Sequence, residues 1–190
     1  MKLLGTSKNL KYYLSNDIKA VYFSPILAYV RYKLDENWDD YNEFFHACRL
    51  FENLKKNDQV SVDSHVLFKN DHLIGCAFIV RGNIADHEER YKIIEEKTAL
   101  QIKYFHITEK GKGYGKNWLK EIIIPYYSKL AYKRIYINSS HPLSFPFYER
   151  LGERIANYTQ LSDNNLFERK GASFLLNIAD PSMSNYKSKQ

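Results

Sequence analysis

A glycine-rich stretch near the middle of the chain has the composition of a phosphate-binding turn. It lies between an apolar run that ends at Ile107 and a helical pattern that follows. Glycines let a backbone approach a phosphate closely, and the first turn of a helix adds unpaired N–H groups and the positive end of its dipole. The stretch therefore predicts an anion site. Its residues are Lys110, Gly111, Lys112, Gly113, Tyr114, Gly115 and Lys116.

Two familiar nucleotide motifs do not fit this stretch. A nucleotide P-loop needs a glycine, four residues and then Gly-Lys-Ser/Thr, but Lys110 stands at the first glycine position and Asn117 at the hydroxyl position. The dinucleotide fingerprint is G-x-G-x-x-G, whereas the glycines here are residues 111, 113 and 115. A third pattern fits: Arg or Gln, two residues, Gly, one residue, then Gly or Ala, with Lys110 at the first place.

A second motif follows the next apolar strand. The residues after Asn138 include the pairs Phe147-Tyr148 and Leu151-Gly152, in a segment typical of a short helix. The glycine turn and this tyrosine, in this order and at this separation, resemble the GNAT superfamily of N-acetyltransferases. The resemblance extends over about residues 37–178.

The resemblance implies a fold, a cosubstrate and a set of binding residues. The fold would be α/β (α+β), with a mixed, mostly antiparallel central sheet that splays at the cofactor site and is flanked by helices. Acetyl-CoA would be the cosubstrate, with no metal. Backbone groups near Phe105 and Ile107 would pair with pantetheine, and the glycine turn would hold the pyrophosphate. The implied cofactor-binding residues are Phe105, Ile107, Lys110, Gly111, Lys112, Gly113, Tyr114, Gly115, Lys116, Asn138, His141 and Phe147.

The resemblance also implies how an amine would be acetylated. The amine would attack the thioester directly in a ternary complex, and Tyr148 would protonate the leaving thiolate as general acid. His141 stands where the superfamily has an Asn that contacts the cofactor, so it is a cofactor contact, a participant in proton transfer or a loop residue. Glu95, Glu96 and His106 lie in or near the strand before the turn, and none of them is assigned as the general base.

The spacing of apolar residues predicts the elements that would position these groups, in an order typical of a mixed α/β protein with one central sheet. The first 20 residues carry no clear pattern. The predicted elements are a strand and a second extended piece over 21–34, interrupted by Pro25; a helix over 41–54 with Asn37 as N-cap; a hairpin of 65–69 and 72–81 around Asn70-Asp71; a short helix over 88–96; a strand over 99–107; a helix over 113–130 that Pro125 kinks or ends; a strand over 133–138; a short helix over 143–151; and strands over 154–161 and 167–178.

Length and composition predict a single domain without a membrane span. Residues 1–180 suit a single domain, followed by a polar tail at 181–190. No stretch reaches the roughly 20 apolar residues of a membrane span, and the start of the chain does not resemble a signal peptide. Cys48 and Cys76 are expected to be free thiols, so a cytoplasmic location is predicted.

The sequence does not identify the partner other than acetyl-CoA. The net charge of +6 favours anionic partners, but the lysines form no basic run, which disfavours nucleic acid. The acceptor would be a primary amine of a small molecule or a peptide, bracketed by Tyr41 and Tyr91, and a homodimer is among the assemblies considered. The alternative function is a non-catalytic acyl-CoA-binding or sensor module on the same fold.

Overall fold

The computed structural model describes residues 1–35, 43–161 and 168–178 of the chain. Its strands are β1 (Lys2–Ser7), β2 (Leu10–Ser15), β3 (Val60–Lys69), β4 (His72–Gly82), β5 (Ala99–Ile107), β6 (Arg134–Ser139), β7 (Glu153–Leu161) and β8 (Glu168–Asn177). They form one sheet in the order β1-β2-β3-β4-β5-β6-β8-β7. Only β5 and β6 are parallel neighbours among these strands. The predicted mixed, mostly antiparallel sheet is confirmed.

The helices are α1 (Ser24–Asp35), α2 (Glu43–Lys55), α3 (Tyr114–Asn117), α4 (Ile124–Lys129) and α5 (Phe145–Glu149). They cover both faces of the sheet. One core cluster packs beneath α3, α4 and α5 and includes Trp118 and Tyr127. The other packs beneath α1 and α2 and includes Ile26, Phe51 and Phe78. We call these the α3 face and the α1 face of the sheet. No helix in the described ranges has both the length and the apolar character needed to cross a membrane.

The extended structure predicted for residues 21–34 is wrong, because the segment is helical. A 3₁₀ turn, Ala20–Phe23, leads directly into α1. Pro25 stands in the first turn of α1, where its missing N–H costs no hydrogen bond. The ring of Phe23 stacks on that of Phe78 at 4.7 Å between centroids, and Ile26 is fully buried. Packing onto the α1 face therefore overrides the β propensity of the segment.

The helix and the hairpin predicted next along the chain are confirmed. α2 buries Ala47, Phe51 and Leu54, although the Asn37 and Tyr41 of that prediction lie outside the described residues. Asn70 and Asp71 both have positive φ, 47° and 64°, as a two-residue type I′ hairpin turn requires. β3 begins five residues before the predicted hairpin strand, at Val60.

The helix predicted over 88–96 is wrong. The segment between β4 and β5 contains only two 3₁₀ turns, Ile84–His87 and Glu96–Thr98. The backbone N–H of Arg90 donates to the side-chain carboxylate of Glu88 at 3.0 Å. In a helix the same N–H would donate to a backbone carbonyl. The chain between the turns is held by buried Glu88 and by the partly buried Tyr91 and Ile93 instead of by helical bonds.

The helix predicted over 113–130 runs as α3, a π-helical segment (Trp118–Ile123) and α4, and Pro125 does not end it. In a regular α-helix a proline ring clashes with the carbonyl four residues earlier. The π segment lies immediately before Pro125 and changes the hydrogen-bond spacing there. Proline is therefore accommodated at the start of α4, and Tyr127 beyond it is fully buried.

The remaining predicted elements are found close to their predicted bounds. β5 and β6 are confirmed, and the segment 143–151 contains α5 preceded by a 3₁₀ turn, Pro142–Ser144. β7 and β8 are the two closing strands, while the predicted turn at 162–165 lies outside the described residues. The first 20 residues, for which the sequence carries no clear pattern, form the β1–β2 hairpin at one edge of the sheet.

Candidate functional site

The sheet opens between β5 and β6. The two strands pair over four residues each, from Ala99 opposite Arg134 to Ile102 opposite Ile137, and then separate. β5 continues to Ile107 and stays paired with β4 on its other edge. Beyond Ile102, the backbone edge of β5 that faces β6 therefore has no partner among the described strands. A cleft of about 1780 Å³ occupies the opening, and the splay implied by the resemblance is confirmed.

A β-bulge at Lys103 marks the point where the strands part. Ile79 of β4 is opposite Ile102 and Phe78 is opposite Tyr104, so Lys103 is the extra residue. A bulge shifts the alternation of side chains by one residue. Leu100 and Ile102 pack on the α3 face before the bulge, and Phe105 and Ile107 do so after it. The bulge thus places Lys103 in the cleft wall.

The glycine turn lies at the far end of β5 and opens into the cleft. Gly111 and Gly113 have φ of 72° and 75°, and a Cβ built on either would meet no atom within 4 Å. Both positions therefore need glycine for the backbone conformation and present bare backbone to a ligand. A Cβ on Gly115 would lie 3.2 Å from the Phe105 ring, so this third glycine allows α3 to pack closely on β5. All residues of 110–116 line the cleft except Lys112.

The predicted aromatic residues meet at the opening. The rings of Phe105 and Phe147 stack at 6.2 Å between centroids with 16° between their planes, which joins β5 to α5. Tyr148 follows on α5, is 7% exposed and lines the cleft. Its ring lies 5.3 Å from that of Phe174. Burial raises the pKa of Tyr148 above its ordinary value. In the described part of the chain no side chain hydrogen-bonds its hydroxyl, so the proton remains available to a ligand.

Asn138 and His141, predicted as cofactor contacts, both line the cleft on the β6 side. The His141 ring lies 5.6 Å from that of Tyr29, a residue of α1. Tyr29 also lies 5.1 Å from the His106 ring and 5.4 Å from the Lys110 ammonium. Tyr29 of α1 therefore lies across the cleft and contacts residues on both of its sides. Sequence reasoning missed it because the segment 21–34 was predicted to be extended.

Glu88 is the main site residue that the sequence analysis missed. Its side chain is fully buried. One carboxylate oxygen accepts the N–H of Arg90, and the other accepts side-chain N–H groups of Gln101, at 2.8 Å, and of Asn138. Burial alone would raise the pKa of Glu88, but these hydrogen bonds and the Arg90 charge hold it below its ordinary value. In the sequence Glu88 belongs to a charged run, Asp-His-Glu-Glu-Arg, typical of a solvated loop.

Two cations beside Glu88, Arg90 and Lys103, line the cleft, whereas Glu88 itself lies behind its wall. The Arg90 guanidinium lies 4.6 Å above the Tyr158 ring and donates to Glu88 at 3.1 Å. Lys103 is half-buried; burial lowers its pKa to about 8, with Glu88 acting against this shift and Arg90 adding to it. The wall of the cleft on the α1 face is therefore positively charged around one buried carboxylate.

The other residues that the sequence analysis considered near β5 lie away from the cleft wall. Glu95 forms ion pairs with Arg134 at 3.0 Å and Lys133 at 3.2 Å. Glu96 accepts the backbone N–H of Ala85 at 2.7 Å. The Tyr91 ring stacks on Tyr136 at 5.2 Å and is absent from the cleft wall, so it does not bracket an acceptor there.

Comparison with solved structures identifies the fold. No protein-family model and no curated protein matches the sequence. A spermidine N-acetyltransferase chimera from Vibrio cholerae superposes with a TM-score of 0.58 at 14% identity, over 94% of this chain and 99% of that one. A Bacillus subtilis acetyltransferase in complex with CoA gives 0.55 at 15% identity, over 88% and 98%. A Salmonella typhimurium protein solved with its cofactor acetyl-CoA gives 0.55 at 12% identity, over 89% and 95%. The chain has the fold of the GNAT acetyltransferases.

Proposed function

We propose that this protein is an acetyl-CoA-dependent N-acetyltransferase that passes an acetyl group to a primary amine by direct attack in a ternary complex. The observation that carries the proposal is the opening between β5 and β6, with the glycine turn at one end and the Tyr148 hydroxyl in its wall. Structures of the same fold that contain acetyl-CoA or CoA support this choice of cosubstrate.

The residues at the opening suit the parts of acetyl-CoA. The unpaired edge of β5 beyond Ile102 offers backbone groups to an amide-bearing chain, as a sheet edge does to an added strand. Gly111 and Gly113 expose backbone at the start of the α3 helix, and Lys110 and Lys116 add positive charge. Together these groups would hold pantetheine along β5 and the pyrophosphate at the turn.

Tyr148 is suited to donate a proton or hydrogen bond to the departing thiolate. Its raised pKa keeps the hydroxyl protonated at neutral and mildly alkaline pH. The conjugate acid of a thiolate has a pKa near 8.5, so the hydroxyl contributes chiefly as a hydrogen-bond donor in the transition state. Such groups contribute about 10²–10⁴-fold to the rate. The surrounding Phe147 and Phe174 rings keep this part of the cleft apolar, which strengthens the bond.

Glu88 does not suit the part of general base, although its buried carboxylate lies next to Asn138 and Arg90, which line the cleft. Hydrogen bonds from Arg90, Gln101 and Asn138 occupy both carboxylate oxygens. The lowered pKa of Glu88 also makes proton uptake unfavourable near neutral pH. Its role is to hold Asn138 and Arg90 in position at the edge of the cleft.

Calorimetric titration with acetyl-CoA tests the site, and a thiol-release assay with an amine panel tests the reaction. Gly113→Trp places a large side chain in the open turn and is expected to abolish binding. Gly113→Ala introduces only the strain of positive φ, about 1 kcal/mol, and is expected to retain binding. Lys129→Trp, at an exposed position outside the cleft, controls for the added ring. Equal affinity of wild type and Gly113→Trp for acetyl-CoA would show that the turn is not the binding site. Binding without CoA release from any amine would favour the acyl-CoA-binding module.

A further inference from the structure

The face of the sheet on which an acceptor would approach follows from the positions of Gln101 and Glu88. Gln101 lies between Leu100 and Ile102, whose side chains pack on the α3 face. Side chains alternate along a strand, so that of Gln101 points to the α1 face. Its amide donates to Glu88 at 2.8 Å, which places Glu88 on the α1 face as well. Arg90, bonded to Glu88, therefore lines the cleft from the side opposite the glycine turn.

Arg90 is held in place by packing that leaves part of its guanidinium open. A Cβ on Gly171 would lie 2.1 Å from the Tyr158 ring, so only glycine lets that ring lie against β8. The Arg90 guanidinium packs on the same ring, 4.6 Å from the centre of Tyr158. Its Nη1 group donates to Glu88, and its side chain is 39% exposed. Nη2 and Nε bond to none of the described residues and are available to a ligand.

Lys103 is a half-buried cation that forms no ion pair with the residues that the structure describes. The bulge places it in the cleft wall, and its ammonium makes no hydrogen bond or ion pair within the described part of the chain. Burial of an unpaired ammonium is costly, which is why the pKa of Lys103 is lowered to about 8. An anion bound beside Lys103 would offset that cost and raise the pKa of the ammonium again.

The charges that line the cleft are unbalanced. Among the described residues of the lining, nine are lysines or arginines and two, Glu109 and Glu168, carry carboxylates. Glu109 is already paired with Lys69 at 2.7 Å. The lysines near the glycine turn face the place proposed for the coenzyme phosphates. Arg90 and Lys103 lie on the other face, where Glu88 compensates only one of the two charges.

We propose that the acceptor amine also carries an anionic group, a carboxylate or a phosphate, which Arg90 and Lys103 bind on the α1 face. This inference rests on the proposed function, because it describes the acceptor of that same site. A carboxylate suits the planar N–H fork of Arg90, which can donate two parallel hydrogen bonds. A polyamine would meet two like charges at this wall and would be rejected by repulsion.

The test compares acceptors that differ in one charge. Each member of an amino-acid panel is assayed beside its methyl ester and its decarboxylated amine, and O-phosphoethanolamine is assayed beside ethanolamine. We expect kcat/KM to be at least about tenfold higher for the anionic member, the size of a modest charge-assisted contact. The carboxylate and phosphate arms distinguish the two sources of the anion. Equal or better turnover of esters and plain amines would overturn the inference and leave the proposed function intact.

Variants locate the contact. Lys103→Met removes the charge at similar length, and Arg90→Lys keeps the charge but loses the fork. Both are expected to raise KM for anionic acceptors about tenfold, with little change for the methyl esters or in acetyl-CoA affinity. Lys92→Met, an exposed position outside the cleft, is the matched control and is expected to behave as wild type. A KM for the acids that is unchanged in both cleft variants would overturn the inference.

Calorimetry of the anionic acceptors on the CoA-bound protein separates this inference from the proposed function. Binding that is weakened by Lys103→Met, without any turnover, would support the anion site and contradict the acetyltransferase. Turnover of neutral or cationic amines without binding of any anionic acceptor would support the acetyltransferase and contradict the anion site. If no anionic acceptor binds or is turned over, the inference is wrong.

Discussion

The side-chain amide of Asn138 donates a hydrogen bond to the buried carboxylate of Glu88. This contact joins the end of β6, where the sheet opens, to the segment between β4 and β5. It also fixes the orientation of the Asn138 amide, because a carboxylate can only accept. The contact with Glu88 therefore leaves the Asn138 amide oxygen as a buried acceptor without a partner among the described residues.

Glu88→Gln is expected to destabilise the protein by about 1–3 kcal/mol. The amide that replaces the carboxylate would turn an NH₂ group toward the N–H donors of Arg90, Gln101 or Asn138. Chemical denaturation at pH 7 measures the loss, and Glu89→Gln, at an exposed neighbouring position, is the control. An unchanged free energy of unfolding would contradict the burial and bonding assigned to Glu88.

Glu88→Gln is also expected to change how the free energy of unfolding depends on pH in acid. The pKa of Glu88 is lowered in the folded protein, so its contribution is present above the unfolded pKa and is lost as pH falls through the folded one. The dependence of unfolding free energy on pH below about 4.3 should be shallower in Glu88→Gln than in wild type.

Tyr148→Phe removes one hydroxyl from the cleft and is expected to lower kcat by about 10²–10⁴-fold. Acetyl-CoA affinity should change little, because the ring and its packing on Phe174 remain. Tyr158→Phe, which removes a hydroxyl from the ring that packs against Arg90 and lies outside the cleft wall, serves as a comparison. Wild-type kcat in Tyr148→Phe would show that the hydroxyl takes no part in the reaction.

Gly171→Ala is expected to cost about 1–3 kcal/mol of stability, because the new Cβ would lie 2.1 Å from the Tyr158 ring. A double-mutant cycle checks the cause. In a Tyr158→Ala background the same substitution should cost much less, since the ring that it meets is gone. Equal costs in the two backgrounds would show that the clash is not with Tyr158.

Buried His65 predicts a loss of stability in mild acid. Tyr127 donates its hydroxyl proton to Asp63 at 2.7 Å, so His65 must donate its Nε2–H to the Tyr127 oxygen at 2.9 Å. Burial lowers the pKa of His65 to about 4, against which the Asp63 charge acts. The depressed pKa means that stability is present above about 6.5 and falls as pH decreases toward 4.

The expected loss from His65 is about 2 kcal/mol between pH 8 and pH 5. Urea unfolding at the two pH values measures it. His65→Gln can still donate to Tyr127 and does not titrate, so its unfolding free energy should fall less over the same range. An equal fall in wild type and His65→Gln would assign the acid sensitivity to other groups.

The part of the site that the sequence predicts is the part encoded in contiguous residues. β5 and the glycine turn follow one another along the chain. The turn needs positive φ at Gly111 and Gly113, and glycine is the residue type that indicates such a conformation. The Tyr148 position follows from a short local motif. These features depend on backbone conformation and near neighbours, so residue type and spacing suffice.

The features that the sequence does not predict depend on contacts between distant residues. Glu88 bonds Gln101 and Asn138, 13 and 50 residues away, and nothing in its own charged run indicates burial. The bulge at Lys103 exists only through pairing with β4. α1 is helical because Phe23 and Ile26 pack on the sheet, which local β propensity does not reveal. The wall of the cleft on the α1 face, with Arg90 and Lys103, is built almost entirely from such contacts.

The most direct test of the account is mass spectrometry of an amine panel after incubation with acetyl-CoA and the protein. Wild type and Tyr148→Phe are run side by side, with Gly113→Trp as the variant in which the turn is blocked. We expect an acetylated amine and free CoA in equal amounts with wild type, a much slower reaction with Tyr148→Phe, and none with Gly113→Trp. Absence of acetylated product from wild type, or equal yields from all three proteins, would contradict the account.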